Sequence, residues 1–248
     1  MNANSNSYTF IFAAALVVVV AAILSFTAVS LDERQDANVR KEKMQSILAS
    51  IKVNVSREEA AKAFDAHVKD QVVLRNGEKE QGTKAFNISM AKQVSKPIEE
   101  RKAPLYVAEK EGKTYYIIPL RGKGLWGPIW GYISLKSDGK TVYGAVFDHK
   151  SETPGLGAEI NTDEFQAQFP KKAVFGNNGD FTGIKVTKKP AKGPHQVDGI
   201  SGGTITSNGV QKMITDCVAA YKSFLKKDKG QYADDSNLPK ESELAIAE

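Results

Sequence analysis

No charged side chain occurs between residues 1 and 31, and residues 9–31 read TFIFAAALVVVVAAILSFTAVSL. An α-helix rises about 1.5 Å per residue, so this run is long enough to cross a hydrocarbon core about 30 Å thick. The chain is therefore expected to carry one transmembrane helix near its start, with lipid as its first partner. The leader 1–8, MNANSNSY, has neither Lys nor Arg, whereas a cleaved signal peptide opens on a basic region, so an uncleaved anchor is expected. Arg34, Arg40, Lys41 and Lys43 follow the span and none precedes it. Taken alone, the positive-inside rule would then keep the larger part of the chain in the cytoplasm.

Beyond the anchor, the composition excludes several classes. The 248 residues, 41% of them apolar, can bury one sizeable core, and the net charge of +5 arises from lysines scattered among acids. No basic stripe with interleaved aromatics is present, so no nucleic-acid partner is expected. Cys217 is the only cysteine, which excludes a disulfide within the chain and predicts a buried, inert thiol. His67, His149 and His195 have no second His or Cys at metal-ligand spacing, so no zinc site is expected.

Periodicity gives a coarse order of elements. Residues 32–103 read as a connecting helical region, with Val39, Met44, Ile47, Leu48 and Ile51 on a loose stripe. Ser56 and Glu59 form a capping-box pattern ahead of a short helix through Ala60, Phe64 and Val68. After Pro104 the pattern changes to strands at 105–109, 114–120, 129–135 and 141–148, rich in Tyr, Ile and Val and parted by Gly-containing turns. A short helix at 161–169 and a strand at 184–188 follow. A long helix at 207–227 then carries Val210, Met213, Ile214, Cys217, Val218, Tyr221 and Phe224 on its apolar side. The expected class is α+β, an antiparallel sheet with flanking helices over 104–227. The acidic tail 228–248 is expected to be mobile.

Three segments are candidate walls of a site. In 198–210, DGISGGTITSNGV, glycines, hydroxyls and amides lead into a helix. Free backbone N–H groups and the positive end of the helix dipole there suit a phosphate, although a tight turn capped by Ser207 or Asn208 would give the same pattern. In 121–131, RGKGLWGPIWG, Trp126 and Trp130 offer flat apolar surface, and a plain hairpin explains the segment about as well. In 149–159, HKSETPGLGAE, the chain leaves a strand and bends through Pro154 and Gly155. No nucleophile or carboxylate stands at an interpretable spacing from His149, so a structural histidine is expected over a catalytic one.

Taken together, the three segments resemble the FMN-binding domain family. Asp198, Ser201, Gly202 and Thr204 resemble the flavinylation motif Asp-x-x-Ser/Thr-Gly-Ala-Thr, whose last Thr carries FMN through a phosphoester bond. Residues 152–157, ETPGLG, resemble the loop that accompanies it. With 122–132, 142–160 and the single anchor, the chain is similar to the C subunits of the bacterial sodium-translocating NADH:quinone oxidoreductase. The likeness is strongest after Pro104 and absent from the acidic tail.

That resemblance implies covalent FMN on Thr204, attached by a separate flavin transferase using FAD. It implies a role in electron transport among the other subunits of an inner-membrane complex, with the soluble domain on the periplasmic side. Asp198 then belongs to the transferase's recognition sequence or to a turn, and Ser201, Gly202, Thr206 and Ser207 surround the phosphate. Leu125, Trp126 and Leu156 pack on the flavin ring, while Glu152 and Thr153, in the loop turned by Gly155, hydrogen-bond to it. Gly203 replaces the usual Ala, and Thr206 is the nearest competing acceptor. No Gly-x-Gly-x-x-Gly opens a βαβ pattern, so the nicotinamide site is expected on another subunit. Two other readings remain: the G subunit of the related ferredoxin–NAD electron-transport complex, and a membrane-anchored binding module without a flavin.

Overall fold

Strand β3, Ala103–Lys110, buries six residues in succession, which a strand does only where both faces of its sheet are covered. Leu105 and Val107 enter one core, while Tyr106 and Ala108 enter another on the opposite face. The same division runs through the neighbouring strand, where Tyr116, Ile118 and Leu120 oppose Tyr115 and Ile117. The sheet is six-stranded and antiparallel throughout, in the order β2-β1-β3-β4-β5-β6. Its other members are β1 Val68–Arg75, β2 Glu78–Glu80, β4 Lys113–Lys123, β5 Pro128–Lys136 and β6 Val142–His149.

The computed structural model describes residues 5–227, apart from Asn177 and Lys189. The leader to residue 4 and the acidic tail 228–248 lie outside the described residues. The chain forms two units, Met1–Lys43 and Met44–Glu248. Helix α1 spans Asn6–Ser50. The expected anchor and the connecting helix are thus one element, because no Gly or Pro interrupts it. Its first part exposes Phe10, Phe12, Val18 and Phe26 and is long and apolar enough to cross a membrane. Its last turns belong to the second unit, where Ile47, Leu48 and Ile51 join Phe64 of α2, Ala60–His67, beneath the sheet. The helix stops where Lys52 turns to a positive φ of 59°. Ser134 Oγ then donates to the buried carbonyl of Ser50 at 2.6 Å.

Several expectations need correction. The region 32–103 is not wholly helical, since it supplies β1 and β2 as well as the short α3, Met90–Gln93. Its charged residues mask the alternation in VKDQVVLR. The expected helix at 161–169 is a 3-10 turn, Gly157–Asn161, followed by α4, Asp163–Gln166, whose Thr162 cap accepts from the Phe165 N–H. The strand near 184–188, β7 Lys185–Thr187, pairs in parallel with an unforeseen β8, Gln196–Asp198.

The long helix begins earlier than its apolar stripe suggests. Helix α5 runs Thr204–Val218, a 3-10 turn covers Ala219–Tyr221, and α6 completes Lys222–Lys227. Val210, Met213, Ile214, Cys217 and Val218 of α5 cover one face of the sheet. Cys217 is buried as expected, and burial pushes its thiol up to about 11.

The start of α5 lies close against the end of β4. A Cβ on Gly209 would stand 2.4 Å from the Lys123 carbonyl oxygen, and one on Gly122 would stand 2.7 Å from Met213 Cβ. Gly209→Ala would therefore force backbone apart rather than a flexible side chain. We expect it to lower stability by about 1–3 kcal/mol, read as a reduced midpoint in denaturant melts of the full chain in detergent.

Candidate functional site

The hairpin between β4 and β5, the loop leaving β6 and the turn entering α5 meet at one side chain. Glu152 is 5% exposed. One of its carboxylate oxygens accepts the Trp126 N–H at 2.8 Å, and the other accepts the Thr206 hydroxyl at 2.5 Å. Its own N–H donates to His149 Nδ1 at 3.2 Å, which makes that histidine a structural acceptor. Burial by itself would raise the carboxyl pKa. The Thr206 hydroxyl and the Trp126, Leu125 and Gly127 N–H groups outweigh it and leave the pKa below the usual carboxylate range. Glu152 therefore stays charged near neutrality.

Each partner is held by its own segment. Gly124 N–H donates to the Gly127 carbonyl at 2.8 Å and closes the hairpin loop, while Leu125 and Trp126 stand 47% and 66% exposed. In the next loop Thr153 C=O accepts the N–H groups of Leu156 and Ala158, both at 3.1 Å. Gly155 has a φ of +75°, and its N–H donates to Glu159. Gly157 must be glycine, because a Cβ there would lie 2.4 Å from the Glu152 carboxylate and 2.6 Å from Thr206 Oγ1.

Gly203 caps α5, and Thr204 is its first residue. The capping role expected of Ser207 or Asn208 thus moves upstream. Ser207 instead accepts the Ile200 N–H on its hydroxyl at 3.0 Å, while its own N–H reaches the Gly203 carbonyl. The turn needs Gly202 at φ +74°, where a Cβ would also meet Leu156 Cδ2 at 2.5 Å. Two residues on a helix point about 200° apart. Thr204 accordingly faces solvent while Thr206, 1% exposed, faces Glu152.

Asp198 stands further back. Its carboxylate accepts the Ala191 N–H at 2.5 Å and its N–H donates to Gln168, so it anchors the loop between β7 and β8. Ser201 is exposed in the turn. Glu152, expected to face a ligand ring, has both oxygens engaged within the protein.

Two residues escaped the sequence reading. Ile205 is 57% exposed beside Thr204; its position out of phase with the Val210–Met213–Cys217 stripe is the signal that could have found it. Lys188 lines a cavity of about 460 Å³ that also touches Thr187, Ile200, Thr204 and Asn208. The parallel pairing of β7 with β8 brings it there. Leu125, Trp126, Leu156 and Ile205 supply exposed apolar surface suited to a flat aromatic ring. The first-turn amides of α5 and the Lys188 ammonium suit a phosphate. This donor set fits a flavin mononucleotide. Among the described residues no group of three or more His, Cys, Asp or Glu could hold a metal ion.

The model of the FMN-binding domain family matches residues 124–219, which contain the segments 149–159 and 198–210 and all but the first three residues of 121–131. The chain is 31% identical over 220 residues to the C subunit of the Na(+)-translocating NADH-quinone reductase of Vibrio campbellii, covering 79% of this chain and 84% of that protein. The corresponding protein of Pseudomonas aeruginosa is 30% identical over 239 residues, with coverage of 86% and 91%. A crystal structure of the C subunit from Parabacteroides distasonis superposes with a TM-score of 0.73 at 43% identity, covering 79% of this chain and 96% of that one.

The depressed Glu152 pKa fixes a pH dependence. Its stabilising contribution is present above the unfolded value, about 4.3, and is lost as pH falls through the lower folded value. Glu152→Gln keeps the shape but removes this titration. The variant should be less stable than wild type by about 1–3 kcal/mol at neutral pH, and the gap should narrow in acid melts below pH 4.

Proposed function

We propose, for a chain that belongs to the family of C subunits of the Na(+)-translocating NADH-quinone reductase, that its soluble domain carries FMN on Thr204 and relays electrons within that oxidoreductase. The observation that carries this reading is the contrast between two threonines of one helix turn. Thr204 is exposed in the turn whose Gly202 and Gly203 pack against Leu156, with Ile205 exposed beside it, whereas the Thr206 hydroxyl is buried and donates to Glu152.

A threonine hydroxyl is a weak nucleophile, so attachment calls for a separate flavin transferase acting on FAD. In that step Thr204 Oγ1 bonds to the phosphorus of the FMN half of FAD. The pyrophosphate bond breaks, AMP leaves, and the hydroxyl proton passes to a base on the transferase. The phosphodiester keeps one negative charge, which the amides at the start of α5 and the Lys188 ammonium stabilise. Ser201 and Gly202 shape the turn, and Gly202 supplies the positive φ. Thr153 and Gly155 hold Leu156 outward for the ring. Bound FMN supplies the electron chemistry, and the protein sets its orientation and surroundings.

Residues 9–31 anchor the chain as a single pass in the inner membrane. The flavin transferase and the remaining subunits are its partners. The soluble domain faces the periplasm, as the family resemblance implies, against the basic flank at Arg34 to Lys43.

Denaturing gels of the chain expressed with a flavin transferase test the attachment. Wild type should give a flavin-fluorescent band and Thr204→Val a dark one, with Thr204 identified by peptide mass; an equally fluorescent Thr204→Val would end the assignment. Protease added to intact spheroplasts should digest the soluble domain, and its survival would place that domain in the cytoplasm.

A further inference from the structure

Glu152 uses the two oxygens of one carboxylate to hold two different segments. One oxygen receives the Trp126 N–H from the hairpin loop that exposes Leu125 and Trp126, and the other receives the Thr206 hydroxyl from the first turn of α5. The neighbouring backbone is shaped around this bridge. Cβ atoms on Gly124 and Gly157 would lie 2.6 Å and 2.4 Å from the carboxylate oxygens. His149 Nδ1 accepts the Glu152 N–H and fixes the main chain that carries the carboxylate. A charged acceptor binds a hydroxyl donor about twice as strongly as a neutral one.

Thr206 is thereby turned inward with its only proton committed. Thr204, two residues earlier, is left pointing outward, next to the loop that the same carboxylate restrains. We infer that Glu152 is a positioning residue for flavin attachment, presenting Thr204 to the modifying enzyme and withholding Thr206. The inference rests on the reading of Thr204 as acceptor. It assigns Glu152 a task that contact with the flavin would not require. A loosened first turn lets the two threonines exchange roles, and a small misplacement of a nucleophile costs one to two orders of magnitude in rate.

The test follows flavin labelling over time in the full-length chain, expressed with a flavin transferase and mapped by peptide mass, with folding checked by circular dichroism. Wild type and Thr206→Ser, which keeps the hydroxyl donor, should label only Thr204 at equal rates. Thr206→Val, isosteric but without the donor, should label Thr204 about tenfold more slowly. Glu152→Ala should be slowed at least as much and should also carry flavin on Thr206. Should Glu152→Ala fail to fold, the comparison of Thr206→Val with Thr206→Ser probes the same bond from its other end. A general loss of stability would lower both Thr206 variants together, whereas the inferred role separates them.

Labelling of Thr206→Val and Glu152→Ala at the wild-type rate and only on Thr204 would overturn the inference while leaving Thr204 as acceptor. Undiminished labelling of Thr204→Val would instead remove the reading on which it rests.

Discussion

The buried carboxylate of Glu152 is the interaction on which the geometry of this site depends. A charge at 5% exposure is costly to bury, and it is retained here because backbone amides and one hydroxyl surround it. Those donors come from segments remote in sequence, so satisfying the charge also brings the segments together. The glycines nearby follow from the same constraint. At Gly157 and Gly124 the space that a side chain would fill is taken by the carboxylate itself. A motif rich in glycine around one glutamate is thus the outline of a buried ion, and its exposed residues are those left over for a ligand.

The sheet beneath explains why this arrangement is rigid. Strands covered on both faces leave little room for shear, and α5 lies across β4 with its Gly209 against the Lys123 carbonyl. The start of α5 is therefore fixed relative to the hairpin that begins where β4 ends. Trp126 reaches Glu152 because of that register, and Thr206 reaches it because the helix starts at Thr204 and not at Ser207. Moving the start by one residue would turn every hydroxyl of the first turn by about 100°.

Much of this was legible in the sequence where a local pattern matched a local structure. The strands β3 to β6 lie where Tyr, Ile and Val cluster between glycines, and the helix apolar enough to cross a membrane is visible from its lack of charge. What escaped was non-local. The run VKDQVVLR forms β1 only because Leu105 and its neighbours await a partner, and its Lys and Asp read as a polar connection. β8 consists of Gln196–Asp198 and is defined by its pairing with β7 rather than by its own composition. The internal partners of Glu152 stayed hidden for a related reason, since only the fold brings Thr206 and Trp126 to it.

Gly203 can now be understood in the same terms. A glycine where the resembled motif has alanine would by itself add backbone freedom next to Thr204. The backbone is instead held, with the Gly203 N–H on the Ile200 carbonyl and the Gly203 carbonyl accepting from Ser207. Its φ of −103° is open to any residue. What disfavours alanine is a neighbour: a Cβ would stand 2.9 Å from Ile200 Cγ2 and 3.1 Å from Ile200 Cβ. Ile200 is β-branched and can yield little by rotation. The glycine is therefore matched to the isoleucine three residues before it, and the pair forms one packing unit at the turn from which α5 and Thr204 begin.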